Sequence, residues 1–187
     1  KTTKIFGNTI YKKFLSNNYV NLTFGNNIFL SSNNQYVKKF LDHKETLNSN
    51  LIEVHNRPNY IKIIKTKYQN RLFLYFHNDP LQMNGSKTTK ERISLLNNVD
   101  KIIFNSEWSR GRFFINIDNK QDLIKKTSIC FQSSSKIKIN FKKKENIISF
   151  TGKLNSAKGY DLFGHAVIRI LDKYTNWKSN VYGDEPR

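Results

Sequence analysis

Short apolar runs alternate along this chain with longer stretches in which apolar residues recur at helical spacing. The runs are rich in β-branched and aromatic residues, and several are continuously apolar rather than alternating. Continuous runs of this kind are typical of strands buried on both faces of a parallel sheet. The pattern predicts strands at Tyr19–Phe24, Leu51–Val54, Leu72–Phe76, Lys101–Asn105, Ile147–Thr151 and Ser179–Tyr182.

The stretches between these runs predict helices. Pro58 suits the first position of one helix, and Ser106 suits the N-cap of another. The last stretch places its apolar residues on one helical face. The predicted helices are Asn34–Lys44, Asn59–Tyr68, Lys87–Asn97, Glu107–Asn116 and Gly159–Tyr174. His43 and His165 fall inside two of them, where a structural or exposed imidazole is the ordinary interpretation.

Alternation of strands and helices favours an α/β architecture with a doubly wound, Rossmann-type parallel sheet. The polar stretch Gln132–Glu145 is the best candidate for a domain boundary. We therefore predict an N-terminal domain over residues 1–140, incomplete at its start, and a second domain over 141–187. The second domain would contain only a first β-α-β unit, which is too small to be stable alone, so we expect it to be truncated.

The chain carries a formal net charge of +18, with Lys far more frequent than Arg. Its lysines are spread along the sequence. This spread favours a general drift in amino-acid composition, rather than a dedicated nucleic-acid site, as the origin of the charge. Attraction to an anionic membrane surface also fits the charge. No apolar run reaches the roughly 18 residues of a membrane-spanning helix. The single Cys130 excludes an internal disulfide and a cysteine-based zinc site. No spacing of His, Cys, Asp and Glu suggests a metal site.

Function in parallel α/β sheets lies at the carboxyl ends of strands, so the residues after each predicted strand are the candidates. A loop that begins at Gly152 and ends at Gly159 precedes a helix, and Lys153 and Lys158 flank it. The N-terminus of a helix together with two cations makes a plausible pyrophosphate site. A plain strand-to-helix turn with two solvated lysines is the alternative.

Two earlier strand ends carry histidines. His77 can donate to developing negative charge or hold a sugar hydroxyl, and the alternative is a histidine held locally by Asp79. His55 precedes Asn56 and Arg57, and the guanidinium suits a phosphate, a carboxylate or a structural ion pair. After the next strand, Ser106 is interpreted mainly as a helix cap and Trp108 mainly as packing.

Five segments together resemble the family-4 retaining glycosyltransferases, which have the GT-B fold of two Rossmann-like domains facing across a cleft. Ile148–Leu162 resembles their F-x-G-R-L-x-x-x-K-G-x-D-L-L segment, and Val181–Arg187 resembles their I-x-G-D/E-G-P segment. Lys101–Arg110 is similar to their D-x-I-I-x-x-S element. Leu74–Asn78 is similar to the strand that ends in the N-domain histidine, and Glu53–Pro58 to the strand and loop before it.

The resemblance implies that Gly152, Lys153, Lys158 and Gly159 bind the diphosphate of a nucleoside-diphosphate sugar, and that His77 is the catalytic residue beside the transferred sugar. Lysine stands at position 153 where the family usually has arginine, which keeps the charge and loses the bidentate geometry. Candidate contacts in the cleft or with the acceptor are His55, Asn56, Arg57, Asn78, Asp79 and Ser106.

The implied activity is retaining, metal-independent transfer of a sugar to a cell-envelope glycan or lipid, as in lipopolysaccharide biosynthesis, without a cofactor. The implied location is cytoplasmic, with peripheral contact at the cytoplasmic face of the inner membrane, and no specific nucleic acid is expected as a partner. The family's first Gly-rich loop and its E-x7-E pair are absent from this sequence. We therefore expect this stretch alone to be inactive. A basic nucleic-acid-binding module and a non-catalytic α/β scaffold are the alternatives.

Overall fold

The computed structural model describes residues 4–7, 18–22, 31–134, 138 and 144–184. The chain divides into two compact units, residues 1–133 and 134–187. The division falls between Ser133 and Ser134, inside the polar stretch noted in the sequence. The predicted boundary at residue 140 lies outside the described residues, and the assignment of the two domains stays a prediction.

A sheet of four parallel strands forms the centre of the first unit, in the spatial order β3-β4-β5-β6. The register places His55 opposite Tyr75 and Phe76 opposite Phe104. Because the strands are parallel, sequential and joined through helices, the unit has the predicted α/β, Rossmann-like architecture. These strands are β3 (Leu51–His55), β4 (Arg71–Phe76), β5 (Lys101–Phe104) and β6 (Thr127–Ile129). A separate parallel pair joins β1 (Ile5–Gly7) and β2 (Tyr19–Asn21).

Four helices of the first unit begin at a residue whose side chain caps the N-terminus. Ser106 accepts from the amide of Ser109, which confirms its predicted role as an N-cap. Thr88 and Glu91 form a reciprocal capping box. The helices are α1 (Ser32–Asp42), α2 (Lys44–Leu47), α3 (Ile61–Ile64), α4 (Thr89–Asn98), α5 (Glu107–Phe113) and α6 (Lys120–Ile124), with 3₁₀ turns at Pro58–Tyr60 and Pro80–Gln82.

The hydrophobic core lies on one face of the central sheet. Side chains of β3 and β4 alternate between buried and more exposed positions. The expectation that these strands are buried on both faces is therefore wrong for the described residues, and only the β5 run Ile102–Phe104 is buried throughout. The apolar composition misleads because Phe73 and Tyr75 project to the more exposed face. The core is formed by Val37, Leu41, Ile52, Val54, Ile61, Ile64, Tyr68, Leu72, Leu74, Phe76, Leu95, Leu96, Val99, Ile102, Phe104, Phe113, Phe114 and Ile117.

Several helices and strands of the structure begin or end at other residues than the sequence pattern predicts. The helix predicted over Asn59–Tyr68 is a 3₁₀ turn followed by the single-turn α3, after which the chain turns so that the Tyr68 hydroxyl donates to the Ser49 carbonyl. His43 does not lie within a helix, because it separates α1 from α2 and its ring accepts from the amide of Glu45. The pattern missed β1, β6, α2 and α6, which are too short to show a period. Residues 23 and 24 of the first predicted strand lie outside the described residues.

The described part of the second unit is one parallel β-α-β element. Strand β7 (Ile147–Thr151) pairs with β8 (Lys178–Tyr182), and helix α7 (Tyr160–Lys173) connects them after a 3₁₀ turn at Ser156–Lys158. Of the apolar face predicted for α7, only Val167 is buried among the described residues. Aromatic contacts of Phe150 with Tyr160 and Phe163 pack the helix on its sheet.

Candidate functional site

The backbone of His77 is clamped at the carboxyl end of β4 by side chains from both neighbouring strand ends. Its amide donates to Oδ1 of Asn56 at 2.7 Å, and its carbonyl accepts from Nδ2 of Asn105 at 2.8 Å. Asn56 has a φ of 54°, a left-handed conformation that asparagine tolerates better than most residues. The amide of Asn56 also donates to the Tyr75 carbonyl at 2.9 Å. These bonds fix the position from which the His77 ring projects.

The rings of His55 and His77 are joined by a hydrogen bond. Nδ1 of His55 lies 2.9 Å from Nε2 of His77, and Nδ1 of His77 lies 2.8 Å from Nε2 of Gln132. The two imidazoles are nearly coplanar, with 7° between their planes and 5.2 Å between their centroids. That geometry is an in-line ring-to-ring hydrogen bond rather than a face-to-face stack, since the two facing nitrogens account for the centroid spacing. Both ring nitrogens of His77 are therefore occupied.

His55 rests on the aromatic ring of Tyr75, its register partner. The two ring centroids are 4.5 Å apart and their planes differ by 13°. Burial and the neighbouring His77 ring lower the pKa of His55, and the Glu53 carboxylate opposes this shift. The Tyr75 hydroxyl donates to Oε1 of Glu53 at 3.0 Å. Burial and this hydrogen bond raise the pKa of Tyr75 to about 12, so its phenol stays protonated and remains a donor.

Asp79 does not hold His77, so the local alternative weighed for that histidine is wrong. Its carboxylate instead accepts two bonds from Arg112, at 2.9 and 3.3 Å, and one from the amide of Leu81. The Arg112 guanidinium holds the pKa of Asp79 below its usual range. The same guanidinium lies over the ring of Trp108 at 5.6 Å. Trp108 is 62% exposed, so its interpretation as packing is also wrong.

The other candidate contacts of this edge take local roles. Arg57 forms no structural ion pair with the described residues, because Nη1 donates to the Asn56 carbonyl and the side chain is exposed. Its role toward a phosphate or a carboxylate stays a prediction. Asn78 is exposed, and Ser106 caps α5. The sequence analysis did not identify Tyr75, Gln132, Asn105 or Arg112 as part of this site. Of these four residues only Tyr75 could have been found, because residues two apart on a strand share a face and Tyr75 precedes His77 at that spacing.

The loop from Gly152 to Gly159 lies at the carboxyl end of β7. Gly159 adopts a left-handed φ of 72° and occupies the N-cap of α7, where it has no side chain to cap the helix. The amides of Asp161 and Leu162 have no acceptor among residues 144–184. Asn155 Oδ1 accepts from the amide of Lys158 and closes the loop. The loop thus leaves helix N–H groups open toward solvent, where an anion is stabilised.

Two further features shape this loop. Lys153 and Lys158 are exposed, and neither ammonium forms an ion pair with the residues that the structure describes. Gly152 donates to the Tyr182 carbonyl and has a φ of 154°. Gly183, at a φ of 159°, approaches Gly152 so closely that a Cβ there would overlap its carbonyl oxygen. The ends of β7 and β8 therefore depend on a glycine.

Within the described ranges, no group of three or more His, Cys, Asp or Glu side chains is placed to hold a metal ion. The helices of those ranges also lack the length and apolar character needed to cross a bilayer.

The parallel sheet with polar side chains at its carboxyl edge places this chain among the Rossmann-like α/β proteins. One solved structure with a similar fold is that of accessory secretory proteins 1, 2 and 3 of Streptococcus pneumoniae. The similarity has a TM-score of 0.51 at 12% identity, and it covers 82% of this chain and 36% of that chain. At this identity the likeness is one of fold.

No protein-family model matches the chain. A comparison with curated proteins finds no match either. The resemblance to the family-4 glycosyltransferases therefore stays a prediction.

Proposed function

We propose that this chain is part of a glycosyltransferase that takes a sugar from a nucleoside diphosphate and passes it to a cell-envelope glycan or lipid. The observation that carries the proposal is the uncapped N-terminus of α7 with the exposed Lys153 and Lys158 beside it. Open N–H groups at a helix N-terminus and nearby cations both stabilise a bound diphosphate. The resemblance of the same loop to the family-4 segment supports the assignment.

The proposed chemistry is retaining and independent of metal. Lys153 and Lys158 would offset the charge that develops on the departing nucleoside diphosphate, which is electrostatic stabilisation of a leaving group. The pair of histidines at the carboxyl edge of the central sheet would present one ring to the transferred sugar or the acceptor. The charge of +18 supports peripheral contact with an anionic membrane, where a lipid-linked acceptor would be reached.

Nucleotide binding tests this proposal. Titration calorimetry with UDP, GDP and ADP at moderate salt should show saturable binding of at least one of them to the chain. Lys158→Ala should weaken that binding about tenfold, the effect of losing one charge-assisted phosphate contact. Lys178→Ala is the matched control, because Lys178 is an exposed lysine at the opposite end of the same two-stranded sheet.

Two results would contradict the proposal. Equal weakening by the two lysine variants would mean that the loop is not the phosphate site. Failure of all three nucleotides, together with tight and steeply salt-dependent binding of duplex DNA, would favour the basic nucleic-acid module.

A further inference from the structure

His77 was the candidate for contact with a substrate, yet neither of its ring nitrogens is available for one. Nε2 faces His55 and Nδ1 faces Gln132. Nε2 of His55 has no partner among the described residues of this edge. We propose that Nε2 of His55 is the nitrogen that the pair presents to a ligand, as an N–H donor to a phosphate or hydroxyl oxygen. His77 and Gln132 are then positioning residues.

The direction of the hydrogen bonds follows from the amide of Gln132. An NH₂ group only donates, so Nδ1 of His77 must accept. A neutral imidazole carries one hydrogen, which then lies on Nε2 of His77 and is donated to Nδ1 of His55. His55 must in turn carry its hydrogen on Nε2. The relay Gln132–His77–His55 therefore ends in a donor, and it is complete only while both rings are neutral.

The surroundings of the two rings fit these roles. His77 is the less exposed of the two, and Asn56 and Asn105 hold its backbone. His55 is exposed at the end of β3 and is held by two contacts, the in-line bond to His77 and the stack on Tyr75. One ring is thus fixed by the fold, and it orients a second ring that is exposed at the end of β3.

Nitrogen-15 NMR of the full chain labelled at histidine measures the tautomers directly. Both His55 and His77 should carry hydrogen on Nε2. The variants His43→Gln and His165→Gln identify the signals of the other two histidines, and His55→Gln distinguishes His55 from His77. The opposite tautomer at His77 would overturn the proposal, because Nε2 of His55 would then be an acceptor.

The variant Gln132→Glu should reverse the relay. A carboxylate only accepts, so at an alkaline pH that keeps both rings neutral Nδ1 of His77 would become the donor and Nε2 of His77 the acceptor. His55 would then carry its hydrogen on Nδ1, and its outer nitrogen would lose its hydrogen. Gln121→Glu makes the same charge change at an exposed position on α6 and should leave both tautomers unchanged. Unchanged tautomers in Gln132→Glu would show that Gln132 does not set the direction.

Inorganic phosphate and glucose are the probes for the ligand, since each supplies one of the two kinds of acceptor oxygen. The expected result is a shift of the His55 Nε2 signal by one probe, with smaller shifts at His77, and loss of that response in Gln132→Glu. A response confined to His77, or none from either probe, would overturn the ligand-facing role.

The inference rests on the proposed function only for the origin of the oxygen. The tautomers and their reversal are independent of nucleotide binding by the second unit. Failure of UDP, GDP and ADP to bind would contradict the proposed function, but it would not contradict the proposed direction of the hydrogen bonds from Gln132 through His77 to His55.

Discussion

Replacing Arg92 by lysine should destabilise the first unit far more than the similarity of the two residues suggests. Arg92 lies on α4 and is only 2% exposed. Among the residues that the structure describes, its guanidinium pairs with no carboxylate, and it donates to the carbonyls of Lys87 and Ile115 at 2.8 and 2.6 Å, from different terminal nitrogens. Weaker bonds reach Ser86 and Thr89. The side chain thus ties the segment before α4 to the chain after α5.

The loss of unfolding free energy in Arg92→Lys can be worked out from these hydrogen bonds. A lysine has one nitrogen, which cannot reach both carbonyl groups, so about two of the four hydrogen bonds are lost. Hydrogen bonds made by a charged group contribute about 1.5–3 kcal/mol each, which gives a loss of about 3–6 kcal/mol. Helix propensity adds nothing, because Arg and Lys have nearly equal values. A domain of this size has a total stability of about 5–15 kcal/mol, so the effect should be large.

Arg92→Met separates geometry from charge. It loses all four hydrogen bonds, but it also removes a charge that is costly to bury, and burial lowers the pKa of this guanidinium. We therefore expect Arg92→Lys to be at least as destabilising as Arg92→Met. Arg71→Lys makes the same exchange at an exposed position at the start of β4 and should change stability by about 0.5 kcal/mol or less.

Urea unfolding measures these differences. In a Trp177→Phe background the remaining Trp108 reports on the first unit, because it lies on α5. The midpoint and slope give the free energy of unfolding of each variant. If Arg92→Lys stays within about 1 kcal/mol of its parent, the hydrogen-bond argument is refuted. If Arg92→Met is clearly the worse variant, the argument from charge burial is refuted.

Three further predictions follow from single contacts. Asp79→Asn should be less stable than the parent at neutral pH and should lose less stability on acidification. The ion pair with Arg112 lowers the pKa of Asp79. The contribution of this pair to the free energy of unfolding is therefore present above the ordinary pKa of about 3.9 and is lost as the pH falls below that value. Urea unfolding between roughly pH 6 and 2 checks this, and parallel pH profiles would contradict it. Gly183→Ala should disrupt pairing at the ends of β7 and β8, because its Cβ overlaps the Gly152 carbonyl, and loss of amide protection at Gly152 in hydrogen exchange is the measure. The ultraviolet titration of the parent minus that of Tyr75→Phe isolates the phenol of Tyr75, which should titrate with a pKa of about 12. Its contribution to stability is complete below about pH 10 and is lost as the pH rises through about 12. If the phenol that the variant lacks titrates near about 10, the prediction is refuted.

The sequence pattern predicts some parts of the chain more closely than others. The strand Ile147–Thr151 and the helix that follows it could be predicted almost residue by residue, because a short run of mainly apolar and β-branched residues and a long helical period are local signals. The N-cap at Ser106 is local for the same reason. Three-residue strands such as Thr127–Ile129 carry no period, so only their pairing with β5 defines them.

The candidate site divides in the same way. The sequence by itself determined which residues follow the strands, and parallel topology then brings His55 and His77 to one edge. Only the tertiary structure decided that the two rings bond to each other, that Gln132 occupies the second nitrogen of His77, and that Asp79 pairs with Arg112. Tautomer, direction of donation and choice of ionic partner depend on atoms that lie 22 to 55 residues apart in sequence. Hydrogen bonds act over about 3 Å, so no local pattern can contain this information.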